Sequence, residues 1–120
     1  MDAEVFSLRD LPEDRPVALL ARRKVEGEKI LFAQIRLLAG CHVAGHRHES
    51  EQVSYLVSGK ARWTLGEPGA PGSRVLDVEG GNVVLLPPNV WHGVDALEET
   101  TVIDILSPPA KMGVDSQGTG

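Results

Sequence analysis

A chain of 120 residues with 42% hydrophobic and 24% charged residues has the size and balance of one ordinary globular domain, and its 4% aromatic content leaves Val, Leu, Ile and Ala to build the core. A formal charge of -5, with no basic cluster beyond Arg22, Arg23 and Lys24, gives no footprint for phosphate backbones or anionic lipid, so no nucleic acid and no membrane are expected as partners. No apolar run approaches the roughly 20 residues that span a bilayer, and the acidic start MDAEVFSLRD lacks a signal-peptide pattern, so a cytoplasmic protein is expected.

Taken in chain order, residues 5–8 read as a short edge strand or arm. Residues 17–23 are rich in Ala and Leu but follow Pro12 and Pro16, and read as strand rather than helix. Short segments rich in Val, Ile and Leu then recur at 29–38, 52–58, 60–65, 74–78, 82–86 and 101–107. Between them stand Gly27, Gly40, Ser58-Gly59, Gly66 to Gly72, Gly80-Gly81 and Pro87 to Asn89, the turn residues of antiparallel strands. The fold class is therefore all-β: a sandwich, jelly roll or closed barrel. One domain is expected over 1–120, with a core at about 17–109 and a flexible tail at 111–120. The single cysteine, Cys41, cannot form an internal disulfide and reads as a semi-buried small hydrophobe. Edge strands near the N-terminus, at 5–8 or 17–23, leave backbone groups unpaired, and a homodimer across a two-fold axis would cover them.

The chemistry concentrates in two stretches. Residues 40–59 read GCHVAGHRHESEQVSYLVSG. His46 and His48, at i and i+2 on an extended segment, share one face, and Gln52 opens the next strand, where its amide oxygen can approach the same point. Residues 81–92 read GNVVLLPPNVWH, a strand and a Pro-Pro-Asn turn that reverse the chain and present His92. Three imidazoles and one amide suit a divalent transition metal ion (zinc, nickel, iron, manganese or copper) and can leave positions open for a small-molecule substrate. His42 reads as a solvated polar group.

These spacings are similar to the two motifs of the cupin superfamily: Gly, five residues, His-x-His, three residues, an acid or amide, six residues, Gly; then Gly, five residues, Pro, and a histidine five positions on. The resemblance implies a jelly-roll β-barrel, also called a double-stranded β-helix, holding one ion through His46, His48, Gln52 and His92. Gln52 stands where Glu is more common, which removes a negative charge from beside the ion. Asn89 stands where Gly is usual, a swap that a left-handed turn position accepts. Ala96 stands where a final Asn is often found.

Within the superfamily, HESEQVSYLVSG and LPPNVWHGVDALEETTVIDILSPP resemble the KdgF-type cupins of pectin and alginate breakdown, which convert unsaturated uronate monosaccharides into linear ketonised sugars. That resemblance gives Asp104 a catalytic proton-transfer role and places Leu106 where an aromatic residue usually touches substrate. Ala110 falls where an arginine would grip the sugar carboxylate, so Lys111 or Arg36 would have to take over substrate binding. Metal-assisted chemistry on a sugar acid or another small polar substrate is the leading expectation. A cupin dioxygenase, a polyketide-cyclase-like enzyme and a non-catalytic binding module are the alternatives. A cation facing the metal would mark the sugar-acid enzyme, an apolar pocket with a redox metal the dioxygenase, and the lack of a usable base the binding module.

Overall fold

The computed structural model describes residues 2–116. Ten strands account for most of it: β1 (Asp14–Val17), β2 (Leu20–Glu26), β3 (Leu31–Leu37), β4 (His42–His46), β5 (Glu51–Ser58), β6 (Lys60–Leu65), β7 (Arg74–Glu79), β8 (Val83–Leu86), β9 (His92–Ala96) and β10 (Thr100–Ser107). The only helices among the described residues are short 3-10 turns at Leu8–Asp10 and Gly113–Ser116. None is long and apolar enough to cross a membrane.

The strands form two antiparallel sheets, one in the order β1-β2-β3-β10-β5-β8 and the other β4-β9-β6-β7. Side chains alternate between faces along a strand, and here the alternation sorts core from surface. β3 buries Leu31, Ala33, Ile35 and Leu37; β10 buries Val102, Asp104 and Leu106; β5 buries Gln52, Ser54 and Leu56. Ala61 and Trp63 of β6 and Val94 and Ala96 of β9 complete the same aliphatic core from the second sheet. This is the all-β jelly-roll barrel, and Cys41 is buried in it at 2% exposure. β10, the last strand in sequence, lies between β3 and β5, with Asp104 opposite Ala33 on one side and Ser54 on the other.

Three expectations require correction. The segment 17–23 is not one strand: it turns at Ala18-Leu19 into the hairpin of β1 and β2, with Val17 opposite Leu20. No Gly, Asn or Pro marks that turn, so nothing in the local composition announces it. Residues 5–8 form no strand; Val5 is 98% exposed and Leu8 begins a 3-10 turn. The tail read at 111–120 is folded where it is described: Met112 and Val114 are buried in the core, and Asp115 is tied to Arg22. Residues 117–120 lie outside the described residues.

Arg22 explains how that C-terminal segment docks. It projects from β2 on the same face as Leu20 and is 2% exposed. Its Nε and Nη2 donate to the Asp14 carboxylate at 3.1 and 2.8 Å, while Nη1 and Nη2 donate to Asp115 at 3.0 and 2.8 Å. Two carboxylates gripped by one planar fork satisfy a charge that burial would otherwise penalise. Asp115 also accepts the Met112 backbone N–H at 3.0 Å, so the ion pair and the 3-10 turn fix one another.

β1 is an outer strand of its sheet, and Val5 and Phe6, which precede it in the chain, are 98% and 49% exposed. A second copy of the chain is expected to cover them. Light scattering is expected to return about twice the 12.9 kDa chain mass at micromolar concentration, and removal of residues 2–7 to shift the population toward monomer. A mass of one chain for the intact protein would contradict the homodimer.

Candidate metal centre

His46, His48 and His92 converge inside the barrel, where their ligand atoms all lie within 4.8 Å of one another. Each arrives by a different local device. In β4 the alternation that buries Val43 would turn residue 46 outward, but the pairing with β9 shifts register between Val43 and His46, and this irregularity returns His46 to the inside opposite His92. His48 follows two residues later, just past the end of β4, and joins the same cluster. The loop carrying it is held by Asn89, which adopts φ 65° in the Pro-Pro-Asn turn and donates its backbone N–H to the His48 carbonyl at 2.8 Å. The turn thus positions His48 as well as delivering His92.

The tautomers follow from hydrogen bonding. Nδ1 of His46 lies 2.8 Å from the Ala44 carbonyl, Nδ1 of His48 3.0 Å from that of Ser50, and Nδ1 of His92 2.8 Å from that of Val90. A carbonyl oxygen can only accept, so each Nδ1 carries the proton and each Nε2 of a neutral ring presents a lone pair. Burial pushes the His92 pKa down to about 4 and that of His46 in the same direction, so both rings are neutral at physiological pH. His92 Nε2 is buried without a hydrogen-bond partner.

Gln52 completes the set. Its Oε1 lies 2.9 Å from His48 Nε2, while its Nε2 donates to Ser54 Oγ at 2.9 Å. Ser54 in turn donates to the Asp104 carboxylate. With the amide so oriented and the His48 ring in its neutral form, two acceptors would face one another at hydrogen-bond distance, an arrangement that a cation would reconcile. The orphaned His92 nitrogen and this acceptor pair show that the residues fit a metal ion, held by three imidazole nitrogens and one amide oxygen.

The site opens onto a cavity of about 60 Å³ lined by Leu20, Ile35, Leu37, Val43, Val94 and Val102 besides the polar residues. Trp63 packs near His92, with ring centroids 6.4 Å apart. Met112, Gly113 and Val114 form the remaining wall. Gly113 presses so closely on the His46 imidazole that an added Cβ would lie 2.3 Å from the ring. Asp104 also faces the cavity, and desolvation pushes its pKa up to about 6 against the hydrogen bonds from Ser54 and Gln52.

The other residues singled out in the sequence lie elsewhere. Arg36 points outward from β3 and comes within 3.9 Å of Glu99, and Lys111 is exposed on the outside; neither lines the cavity. Leu106 is fully buried in the core opposite Gln52 and does not line the cavity either. His42 sits at the surface with Nδ1 2.6 Å from Asp95. Ser54 and Gly113 were not anticipated. Ser54 carries a readable signal, its i+2 spacing from Gln52 on one strand face, whereas nothing in the local sequence of Gly113 points to its contact.

Two antiparallel sheets enclosing three histidines that could hold a metal ion define the class of this β-barrel. The chain matches the Cupin domain over residues 34–106, more than half its length, and it belongs to the cupin family. Among solved structures it is similar to KdgF from Halomonas sp., with a TM-score of 0.78 and 22% identity over 89% of this chain and 96% of that one. It is also similar to oxalate decarboxylase of Bacillus subtilis, a protein described with Mn(II) centres, at a TM-score of 0.76 and 22% identity over 89% of this chain but 30% of that one. A tryptophan-to-phenylalanine variant of the same decarboxylase matches at a TM-score of 0.76 and 21% identity, again over 89% of this chain and 30% of that one. At these identities the likeness is one of fold. No curated protein matches the chain by sequence.

Two outcomes are expected from this geometry. Gly113→Ala should weaken metal binding by displacing either the His46 ring or the segment against it, with the chain still folded; unchanged affinity in a chelator competition would show that the contact is loose. The second concerns acid. Asp104 has a folded pKa above its ordinary 3.8, so it holds a proton that the unfolded chain releases between that value and about 6. Stability therefore falls as pH rises through this window, and above it the buried charge costs on the order of 3 kcal/mol. In chelator-treated protein, Asp104→Asn is expected to raise the melting temperature at about pH 7 and to lose that gain near about pH 4. An equal gain at both values would contradict the assignment.

Proposed function

We propose that this protein is a metal-dependent enzyme acting on a small, largely apolar organic molecule that presents one oxygen to the ion, with Asp104 moving the proton. The observation that carries the reading is the convergence of three imidazole lone pairs and the Gln52 oxygen on one end of an apolar cavity that also holds a buried carboxyl. A zinc, nickel, iron, manganese or copper ion held there by the three histidines and Gln52 would supply a Lewis acid for a carbonyl or hydroxyl oxygen, and a redox-active one would also supply electrons.

The chain's own residues do the rest. Asp104, with a pKa of about 6, is available near neutral pH in a form able to accept a proton and, with modest cost, in a form able to give one. The bonds from Ser54 and Gln52 fix its carboxyl group at the cavity wall, where it can meet substrate. Leu20, Ile35, Val43 and Val102 exclude water around the reacting group, and Met112 and Val114 limit how large a molecule can enter. A binding module needs no such base, which favours catalysis over mere capture.

The lining separates the substrate classes. Among the described residues no lysine or arginine lines the cavity, and its walls are mostly aliphatic. A uronate would bring a carboxylate and several hydroxyls into that space and recover few of the hydrogen bonds it makes with water. An oxygen-using or cyclase-like reaction on a less polar compound suits the walls better. The uronate reading draws its support from the likeness to KdgF from Halomonas sp., which extends over 96% of that chain.

The test is metal analysis of protein purified without a nickel column, followed by substrate trials that record both oxygen uptake and loss of unsaturated uronate. His48→Ala is expected to lower both metal content and melting temperature, because ligands drawn from separate strands couple the ion to folding. Full metal occupancy in that variant would remove the site. Consumption of uronate without oxygen uptake would overturn the apolar-substrate reading in favour of the sugar-acid enzyme.

A further inference from the structure

We propose that Ser54 is a positioning residue that sets the orientation of the Gln52 side-chain amide, so that oxygen and not nitrogen is turned toward the metal ion. The inference rests on the metal site proposed above and deepens it by naming what makes glutamine usable as a ligand there.

An amide is nearly symmetric in shape, and its two ends differ in what they do to a cation: the oxygen coordinates it and the NH2 group repels it. A glutamine ligand therefore needs something on its far side that tells the ends apart. Glutamate, with two oxygens, does not. In β5, Gln52 and Ser54 occupy successive inward positions at 5% and 0% exposure, out of reach of solvent that could satisfy either orientation. Ser54 lies directly opposite Asp104 in the sheet register.

The direction of the chain of bonds is fixed by proton count. A serine hydroxyl has one proton to donate, and Ser54 gives it to Asp104 Oδ1. What Ser54 then offers Gln52 is a lone pair, which only the amide nitrogen can use, and that nitrogen stands 2.9 Å away. With the nitrogen held there, Oε1 is left 2.9 Å from His48 Nε2, at the metal end. Reversing the amide would place its oxygen against a hydroxyl whose proton is already committed and its NH2 against the ion. Asp104 thus has a part in the metal site without touching the ion: it takes the Ser54 proton, which leaves Ser54 an acceptor for the amide nitrogen, and it accepts from the Gln52 amide as well.

The test is a double-mutant cycle between positions 54 and 52, read as Mn(II) and Zn(II) affinity in competition with a chelator of known strength. Ser54→Ala in the natural background is expected to weaken binding of both ions by about tenfold or more, the scale of a lost partner to a metal ligand. In a Gln52→Glu background the same change is expected to alter affinity by no more than about twofold, the margin within which independent sites add. Circular dichroism establishes that each variant is folded. If Ser54→Ala does not fold, Ser54→Cys, which keeps the volume with a weak donor, replaces it in the cycle.

An equal loss in both backgrounds would show that Ser54 acts through general packing, and no loss in the natural background would show that the amide orients itself; either result overturns the proposal while leaving the metal site standing. A wild-type protein that takes up neither ion would remove the metal-enzyme reading and this inference together.

Discussion

Lone pairs aimed at one point repel one another, and the interior of this barrel is arranged around that repulsion. Three histidine rings and an amide oxygen are held close together beside aliphatic side chains, and the Nε2 of the most buried ring, His92, has neither water nor a hydrogen-bond partner. No side chain would adopt this arrangement for its own benefit. It is imposed by backbone: carbonyls of Ala44, Ser50 and Val90 occupy the opposite ring nitrogens, a register shift turns His46 inward, and the Asn89 turn secures the His48 segment. A cation changes the sign of the interaction, from mutual repulsion to a shared attraction. An ion held there would in this sense be part of the packing, with the sheets supplying the rigidity around it.

Much of this was legible in the residues. Turn positions such as Gly40, Gly59, Gly66 and Gly81, all with positive φ, delimit the strands that the Val, Ile and Leu runs announce. The three histidines that the structure brings together were visible because metal ligation calls for particular residue types at particular spacings, and few other demands leave so sharp a mark. What escaped has physical reasons. The β1–β2 turn at Ala18-Leu19 uses residues with no turn preference. Met112 and Val114 sit in a short polar surrounding, and their burial depends on Arg22, which lies far away in sequence and reads as an ordinary strand charge. Arg36 and Lys111 were named because a carboxylate needs a cation; the outward face of β3 and the exposed position of Lys111 are facts of tertiary placement that spacing does not encode.

The interior also shows where stability and chemistry pull apart. Val102 and Leu106 flank Asp104 on β10, and an aliphatic residue between them would continue the core without interruption. A carboxyl there loses hydration and recovers only part of it from Ser54 and Gln52. Natural proteins accept such positions where function requires them, and the surrounding sheet, paired on both sides of β10, is what keeps the strand in place. His92 and His46 face the same cost in the opposite sense, since burial disfavours their protonated forms and so leaves them ready as ligands.

The central place of β10 also bears on how the molecule comes into being. Because β10, which follows the other described strands in sequence, lies between β3 and β5, the larger sheet exists until that strand is made as two separate pieces, each with a raw edge and an uncovered apolar face. A nascent chain emerging from the ribosome can form the β1–β2 and β6–β7 hairpins, but it cannot join them into a barrel until Thr100–Ser107 is clear of the exit tunnel. Closure then awaits this strand and brings together contacts distant in sequence, the kind that folds slowly and leaves strand edges open to wrong partners meanwhile. Yield in a host cell should therefore respond to chaperones and growth temperature more than a domain this small would suggest.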